Sequence, residues 1–477
     1  MCAVTAPTLK RSLGMWAIVG LGLGYMAPVT VFDTFGIVSE ETDGVVPTAY
    51  LVGLVVLLFT ALSYGAMVRA FPAAGSAYTY TREAIHPGLG FLVGWASLLD
   101  YLLLPVVNAV IIRLYMEQFF PEVPGWVWVV GVAALLIGLN VVSVKATSRV
   151  NGVLLIAALA GIAAFLVLAG LQISKGLGTG TLFSLQPIWH DGVQLSAVLA
   201  GTTIVAFSFI GFDAVTMYAE EAKDPNAVPR AVMLTVLIGG AIFFAGAWFA
   251  QSAFPTLDGF EYTDDTLPEL ALFVGGQAFQ LLFVAVAFAA AVASGLSSHA
   301  SVSRLLYVMG RNGVLAPKRW FGAVSPRFRT PVFTTVLAGL VVLLAITPTL
   351  DLISSVINFG ALIAFTFVNL AVIAHYAIRQ GRRRTPADIV RFIVLPLLGA
   401  AGTGLLWVHL SADAMILGTV WTVVGVIVLF AVTRGFRRPV AELGIDEADA
   451  ADAADAADGP DADEASEPDE VPTVPTR

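Results

Sequence analysis

GLGLGYMAPVTVFDTFG, residues 20–36, lies inside the first long apolar run of the chain and holds four glycines, a proline and a carboxylate, Asp33. These residues are poor material for an unbroken membrane helix. Each glycine costs about 1 kcal/mol of helix stability relative to alanine, Pro28 removes an amide donor, and a charge at bilayer depth is expensive. Together they describe a helix built to come apart. Unwound backbone is tolerated within a bilayer only where it lines a cavity or is buried in protein.

The rest of the chain supplies the bilayer. Of 477 residues, 58% are hydrophobic and only 12% charged, with a mean hydropathy of +0.85. Soluble domains carry roughly 25% charged residues, so the chain reads as an integral membrane protein. Its apolar runs are about 20 residues long, too long for the strands of a β-barrel. Twelve spans are expected, near 13–39, 46–68, 88–119, 124–143, 150–173, 195–219, 230–252, 269–300, 331–348, 352–378, 389–410 and 412–433. With that count nearly all Lys and Arg between the spans fall on one side, which the positive-inside rule assigns to the cytoplasm together with both termini. The loops on the other side, such as SEETDGVVP (39–47) and FPTLDGFEYTDDTLPE (254–269), are short and acidic. Residues 1–12 form an N-terminal segment, 13–434 the transmembrane domain, and 435–477 a cytoplasmic tail with an acidic Ala/Asp repeat. The tail is too polar to form a core and is expected to be disordered. With Cys2 as the one cysteine, no intrachain disulfide forms. The chain carries no H-E-x-x-H, G-x-S-x-G or P-loop signature. No enzyme activity, cofactor, metal site or nucleic-acid partner is expected.

A second oddity occurs five spans after the first. SFIGFDAVTMYAEEAKDP, residues 208–225, again joins an apolar helix to a glycine and then a carboxylate, Asp213. Paired interrupted helices at corresponding places in two inverted halves mark the binding site of a secondary transporter. A third carboxylate, Asp100, lies in GWASLLDYLLLP, about ten residues into span 3 and hence roughly 15 Å deep at 1.5 Å per residue. Arg113 is roughly 20 Å from it along the same helix and is expected to pair instead with Glu117, four residues on. Asp33, Asp100 and Asp213 are therefore expected to surround one midplane cavity. Aromatic residues near them in sequence, among them Tyr25, Tyr101, Phe209 and Phe212, are candidates to hold ammonium groups by cation–π contact. Three carboxylates, with Pro28 deleting an amide donor, favour a substrate with excess positive charge, such as a diamine. Glu220, next to Glu221 at the end of span 6, is a candidate for proton handling or an inner gate. His299, Arg304, Ser297 and Ser298 on span 8 are weaker candidates, each also readable as a packing or anchoring residue.

Longer motifs add a resemblance. EEAKDPNAVPRA (220–231) and the broken spans are similar to the amino acid–polyamine–organocation superfamily of transporters. GYMAPVTVFDTFGIVS, VGWASLLDYLLLP, FSFIGFDAVTMYAEE, ASGLSSHASVSRLLYVMGR and INFGALIAFTFVNL resemble its bacterial putrescine-importer subfamily, over roughly residues 9–437. The resemblance implies an all-α integral membrane protein of twelve transmembrane helices. It has a 5+5 inverted repeat with helices 1 and 6 broken, and two extra C-terminal helices. It implies a proton-coupled importer of putrescine-like diamines in the plasma membrane, working by alternating access, with Asp213 at the position that is acidic in amine exchangers and proton-linked in other relatives. A cationic or neutral amino-acid permease and an exchanger are the alternatives. Span 5 lacks the lysine that some proton-coupled relatives carry there.

Overall fold

The structure, a computed structural model, describes residues 13–437 apart from 73–75, 143–147, 220–221, 225, 312–314, 316 and 326–329. The helices in chain order are α1 (Met15–Tyr25), α2 (Thr30–Asp33), α3 (Phe35–Glu41), α4 (Val46–Ala70), α5 (Ser76–Ala84), α6 (Pro87–Phe119), α7 (Gly125–Val142), α8 (Ser148–Ser174) and α9 (Leu195–Phe209). A 3₁₀ turn, Ala214–Ala219, follows. Then come α10 (Ala227–Ala253), α11 (Leu267–Arg311), α12 (Lys318–Phe321), α13 (Val332–Val342), α14 (Leu350–Val372), α15 (Pro386–Ile389), α16 (Leu395–Val408) and α17 (Ala412–Val432). The one strand-like pairing among the described residues is a bridge between Leu13 and Ala222, which ties the start of α1 to the chain beyond the 3₁₀ turn.

The chain is an all-helical, multi-pass membrane protein. Among the described residues ten helices are long and apolar enough to cross a bilayer, and two shorter apolar helices, Gly125–Val141 and Val332–Ile346, occupy the places of the fourth and ninth expected spans. Burial separates inner spans from outer ones. In their most apolar stretches α6, α9 and α14 are 72% buried, whereas α17 is 17% buried. α17 turns Ile416, Val420 and Ile427 outward, as a lipid-facing helix must.

Lipid tails are as apolar as leucine, so the helices are held by close packing and by hydrogen bonds between polar groups. Gly360 of α14 sits against the backbone of Ala96 of α6, and Gly425 of α17 lies under the ring of Trp95. Trp95 and Trp421 stack with centroids 4.9 Å apart. Each indole N–H donates to the other residue's carbonyl, at 2.9 and 2.8 Å, so α17 is clasped to α6. Asn369 accepts from Ser63 at 2.6 Å and donates to Thr60 at 3.0 Å, joining α14 to α4.

The first break lies later than the glycines suggest. Gly20, Gly22 and Gly24 all belong to α1. Gly22 is there for packing, since a Cβ would strike Val215 and Thr235. The helix stops at Ala27, whose φ of +44° lies in the left-handed region that side chains avoid, and Pro28 follows. α11 also differs from the single continuous span expected over 269–300. It bends at Gly276 (φ +74°, ψ −179°) and so is two helices end to end.

Candidate functional site

The two breaks meet. After α9, Ile210 turns the chain into an extended conformation and Gly211 adopts φ +117°. A Cβ at Gly211 would lie 2.8 Å from Cδ1 of Tyr25 and 3.1 Å from the amide nitrogen of Met26. Both the dihedral and the contact exclude a side chain. Gly211→Ala is expected to reduce transport at least roughly tenfold and lower the melting temperature of the detergent-purified protein, because backbone strain of about 1–3 kcal/mol adds to the clash. Transport and melting like the wild type's would contradict that close approach.

Two cavities flank this junction. The larger, about 610 Å³ counted out to its mouth, is lined by Tyr25, Thr30 and Asp33 from the first broken helix, Asn108 and Tyr115 from α6, and Ser294 from α11. The Tyr115 hydroxyl donates to Oδ1 of Asp33 at 2.8 Å. The Asn108 amide donates to Ser294 Oγ at 3.1 Å and to the Leu104 carbonyl at 2.8 Å. Asp33 is 2% exposed.

The loop before α11 closes over this end of the broken helix. Thr266 donates to the Phe32 carbonyl at 2.8 Å and accepts from the Gly36 amide at 3.2 Å. Next to it, fully buried Asp265 caps α11 by accepting from the Leu267 amide at 3.2 Å. Its backbone carbonyl accepts from Gln118, one turn beyond Tyr115. Its other carboxylate oxygen has no hydrogen-bond partner. Burial first, and then the neighbouring charge of Asp33, pushes the Asp265 carboxyl well above the usual carboxylate range. The folded state then binds more protons than the unfolded state at pH values above the ordinary carboxylate pKa, so stability falls as pH rises through that window. Asp265→Asn keeps an oxygen for the cap and removes the charge. The variant is expected to melt above the wild type at neutral pH, with the gap closing as pH falls toward about 4. Melting curves in detergent across that range check this, and a gap independent of pH would contradict it.

The smaller cavity, about 450 Å³ on the same basis, is lined by Asp100 and Tyr101 from α6, Asp213, Tyr78 from α5, and Phe365 from α14. Oδ1 of Asp213 accepts from the Gly211 amide at 3.2 Å, and its backbone carbonyl accepts from the Thr216 hydroxyl at 2.7 Å. Ile210 lines both cavities. Among the described residues, neither lining includes Lys, Arg or His.

The candidate residues are thus distributed in a way the sequence did not show. The three aspartates face two cavities rather than one. Tyr25 joins Asp33, and Tyr101 joins Asp100 and Asp213. Phe209 packs on Tyr50 and Phe243, Phe212 on Tyr64 and Phe365, and neither lines either of these two cavities. His299 is buried and bonded through Nδ1 to Asn140 at 3.0 Å. Ser298 donates to the Ser294 carbonyl of its own helix. Arg304 lies on α11 and, like Ser297, outside both linings. Glu220 and Glu221 fall outside the described residues. Arg113 pairs with Glu117 at 3.7 Å, as their spacing predicts. Sequence reasoning missed Asn108, Tyr115, Ser294 and Asp265. For the first two a signal existed. Ser97, Asp100, Tyr101, Leu104, Asn108, Ile111 and Tyr115 recur at helical spacing, so they form one face of α6 that runs past both cavities.

Comparison with known proteins gives consistent matches. The amino acid permease family model matches residues 18–432. The chain is 45% identical over 435 residues to the low-affinity putrescine importer PlaP of Escherichia coli (strain K12), covering 91% of this chain and 96% of that protein. It is 24% identical to the branched-chain amino acid permease BcaP of Bacillus subtilis (strain 168), covering 90% and 94% of the two chains. Among solved structures, MhsT in complex with L-phenylalanine superposes with a TM-score of 0.59 at 13% identity, covering 85% of this chain and all of that one. That likeness concerns the fold alone.

Proposed function

We propose a function from one premise: this chain belongs to the amino acid permease family. It is a transporter, a homologue of a putrescine importer, and not an enzyme. Its substrate is putrescine or a similar diamine, carried inward across the plasma membrane by alternating access and driven in part by protons. The observation that carries this reading is the chemistry of the two cavities, which present three carboxylates and, among the described residues, no cationic side chain. A ligand with two ammonium groups finds counter-charges there, whereas an α-carboxylate finds only repulsion.

In this reading the bundle has twelve spans, with α7 and α13 completing the ten longer ones. It comprises two inverted five-helix halves and a final pair, α16 and α17, and the end that holds the N-terminus faces the cytoplasm. The meeting of the two broken helices at Gly211 and Tyr25 supports that arrangement, as does the likeness to MhsT. Proton coupling is assigned to Asp213, beside the second break, with Glu220 as a further candidate. The test is a proteoliposome uptake panel of putrescine, lysine and alanine under separately imposed pH gradient and potential. Accumulation of putrescine alone is expected. Uptake of alanine or lysine in its place would make the protein an amino-acid permease, and dependence on a preloaded substrate would make it an exchanger.

A further inference from the structure

We infer that the acidic C-terminal segment of this chain, residues 438–477, docks on a cluster of arginines at the turn between α14 and α15. The inference concerns an interaction surface and does not depend on which substrate is carried.

The surface is built as well as charged. A turn of π-helix, Ile373–Arg379, continues α14, and residues 379–391 hold five arginines and a single acid, Asp388. That acid is already engaged: Arg382 pairs with it at 3.1 Å. The Arg382 guanidinium also lies 4.4 Å from the ring centroid of Phe392, and Phe392 stacks on Tyr376 at 4.5 Å. The two ends of the turn are thereby pinned together. Arg383 and Arg384 are exposed at its tip and make no ion pair among the described residues. Arg379 spends its donors on the neutral carbonyls of Glu83 and Ile85, and Arg391 lies 5.2 Å from the Phe392 ring centroid. Four positive charges are left without a carboxylate.

The acidic segment starts at the same end of the bundle. α14, α16 and α17 belong to three consecutive spans, Leu350–Arg379, Pro386–Val408 and Ala412–Val432, so the end of α17 returns to the side where α14 ends. Both ends adjoin α5. Leu429 of α17 packs in one cluster with Tyr78, near the start of α5, while Arg379 bonds the carbonyls at its end. α5 has nine residues and is about 13 Å long at 1.5 Å per residue. An aspartate stands at every third position from Asp446 to Asp461. The first of them is nine residues beyond Arg437, a reach of up to about 30 Å.

Charge complementarity and tethering supply the affinity. Residues 438–477 contain thirteen acids and two arginines, a run that repels itself. A single exposed ion pair is worth only about 0.2–1 kcal/mol, so several must act together. A short flexible link holds the acids at an effective concentration in the mM range, which lets weak pairs add up. The three-residue repeat also makes the contact tolerant of register, since a shift by three places an aspartate where an aspartate was. Such a contact needs no folded segment.

Anionic lipid headgroups are the competing occupant, at about 1 kcal/mol per basic residue near the surface, and the test separates the two. The full-length chain with Cys2→Ser, Ala387→Cys and Ala453→Cys carries spin labels on the turn and in the repeat. Distances are measured in vesicles of phosphatidylcholine alone and with phosphatidylglycerol added. A short-distance population is expected in both at about 0.1 M salt and should vanish at 1 M, where the screening length falls from about 10 to about 3 Å. Arg383→Gln together with Arg384→Gln should cut that population at least about threefold, and both positions are exposed, so this variant folds. Replacing all six repeat aspartates by asparagine should remove it, whereas Asp452→Asn alone should change it little. A population that survives 1 M salt, or is equal in the double arginine variant, would overturn the inference. Its loss on adding phosphatidylglycerol would give the arginines to the lipid and overturn it too.

Discussion

Asp33→Asn is expected to raise the KM for putrescine roughly 100-fold, about 2.8 kcal/mol at 1.4 kcal/mol per decade. In the folded protein Asp33 is 2% exposed and bonded to Tyr115, so an arriving ammonium exchanges its hydration for this carboxylate. Removing the counter-charge leaves a desolvated cation beside a neutral amide, and breaking a buried pair in this way costs about 3–5 kcal/mol. Residual water in the cavity lowers the figure. Tyr115→Phe is the graded control. It removes one hydrogen bond to a charged group, worth about 1.5 kcal/mol at the low end, and should raise KM roughly tenfold. The variants are compared by initial uptake rates over a range of putrescine concentrations. An Asp33→Asn carrier with wild-type KM would remove Asp33 from the binding site.

The second large effect concerns Asp213 and the driving force. A dication is drawn inward by the membrane potential with about 2.3 kcal/mol per charge for each 100 mV, which for two charges comes to about 4.6 kcal/mol. One pH unit across the membrane adds about 1.4 kcal/mol for each proton carried. With the potential clamped at zero, wild-type vesicles should therefore accumulate putrescine up to roughly tenfold per pH unit. Asp213→Asn should accumulate none under that condition and still fill when a potential is imposed. Asp213 is suited to the task by position. It stands directly after the second break, lines a cavity, and accepts from the amide of the residue that presses on the first break. A variant that concentrates putrescine on a pH gradient alone would move the proton to Asp33, Asp265 or Glu220.

Much of the fold is legible in the sequence because lipid imposes length. Every apolar run that predicts a span coincides with a helix, and two of these helices are simply shorter than the rest. The second break is legible because Gly211 is both the residue that turns and the residue that packs. The first is not. Glycine serves helix crossing as well as unwinding, and a one-dimensional reading cannot separate Gly22, which makes room for Val215 and Thr235, from a breaker. The residue that actually turns the chain is Ala27, which no propensity scale marks. Asp265 is illegible for a related reason. In sequence it is one of several acids in the loop before α11. Its burial comes from Thr266 stitching that loop to Phe32 and Gly36, a contact across more than two hundred residues. The place of Ile210 in both cavity linings has no sequence signal, since an isoleucine at the end of an apolar helix is ordinary.

Ala27 carries one more consequence. A left-handed alanine costs roughly 1–2 kcal/mol, and a carrier that alternates bears such a cost in some of its conformations and not in others. A bias of 1.4 kcal/mol is a factor of ten in population. The strained angle thus handicaps the conformation described above relative to any in which residue 27 relaxes, and keeps the cycle from resting there. Ala27→Gly removes the handicap. The variant is expected to dwell up to roughly tenfold longer in this conformation, which distances between spin labels on α3 and α11 would report as a shift in the weights of two populations.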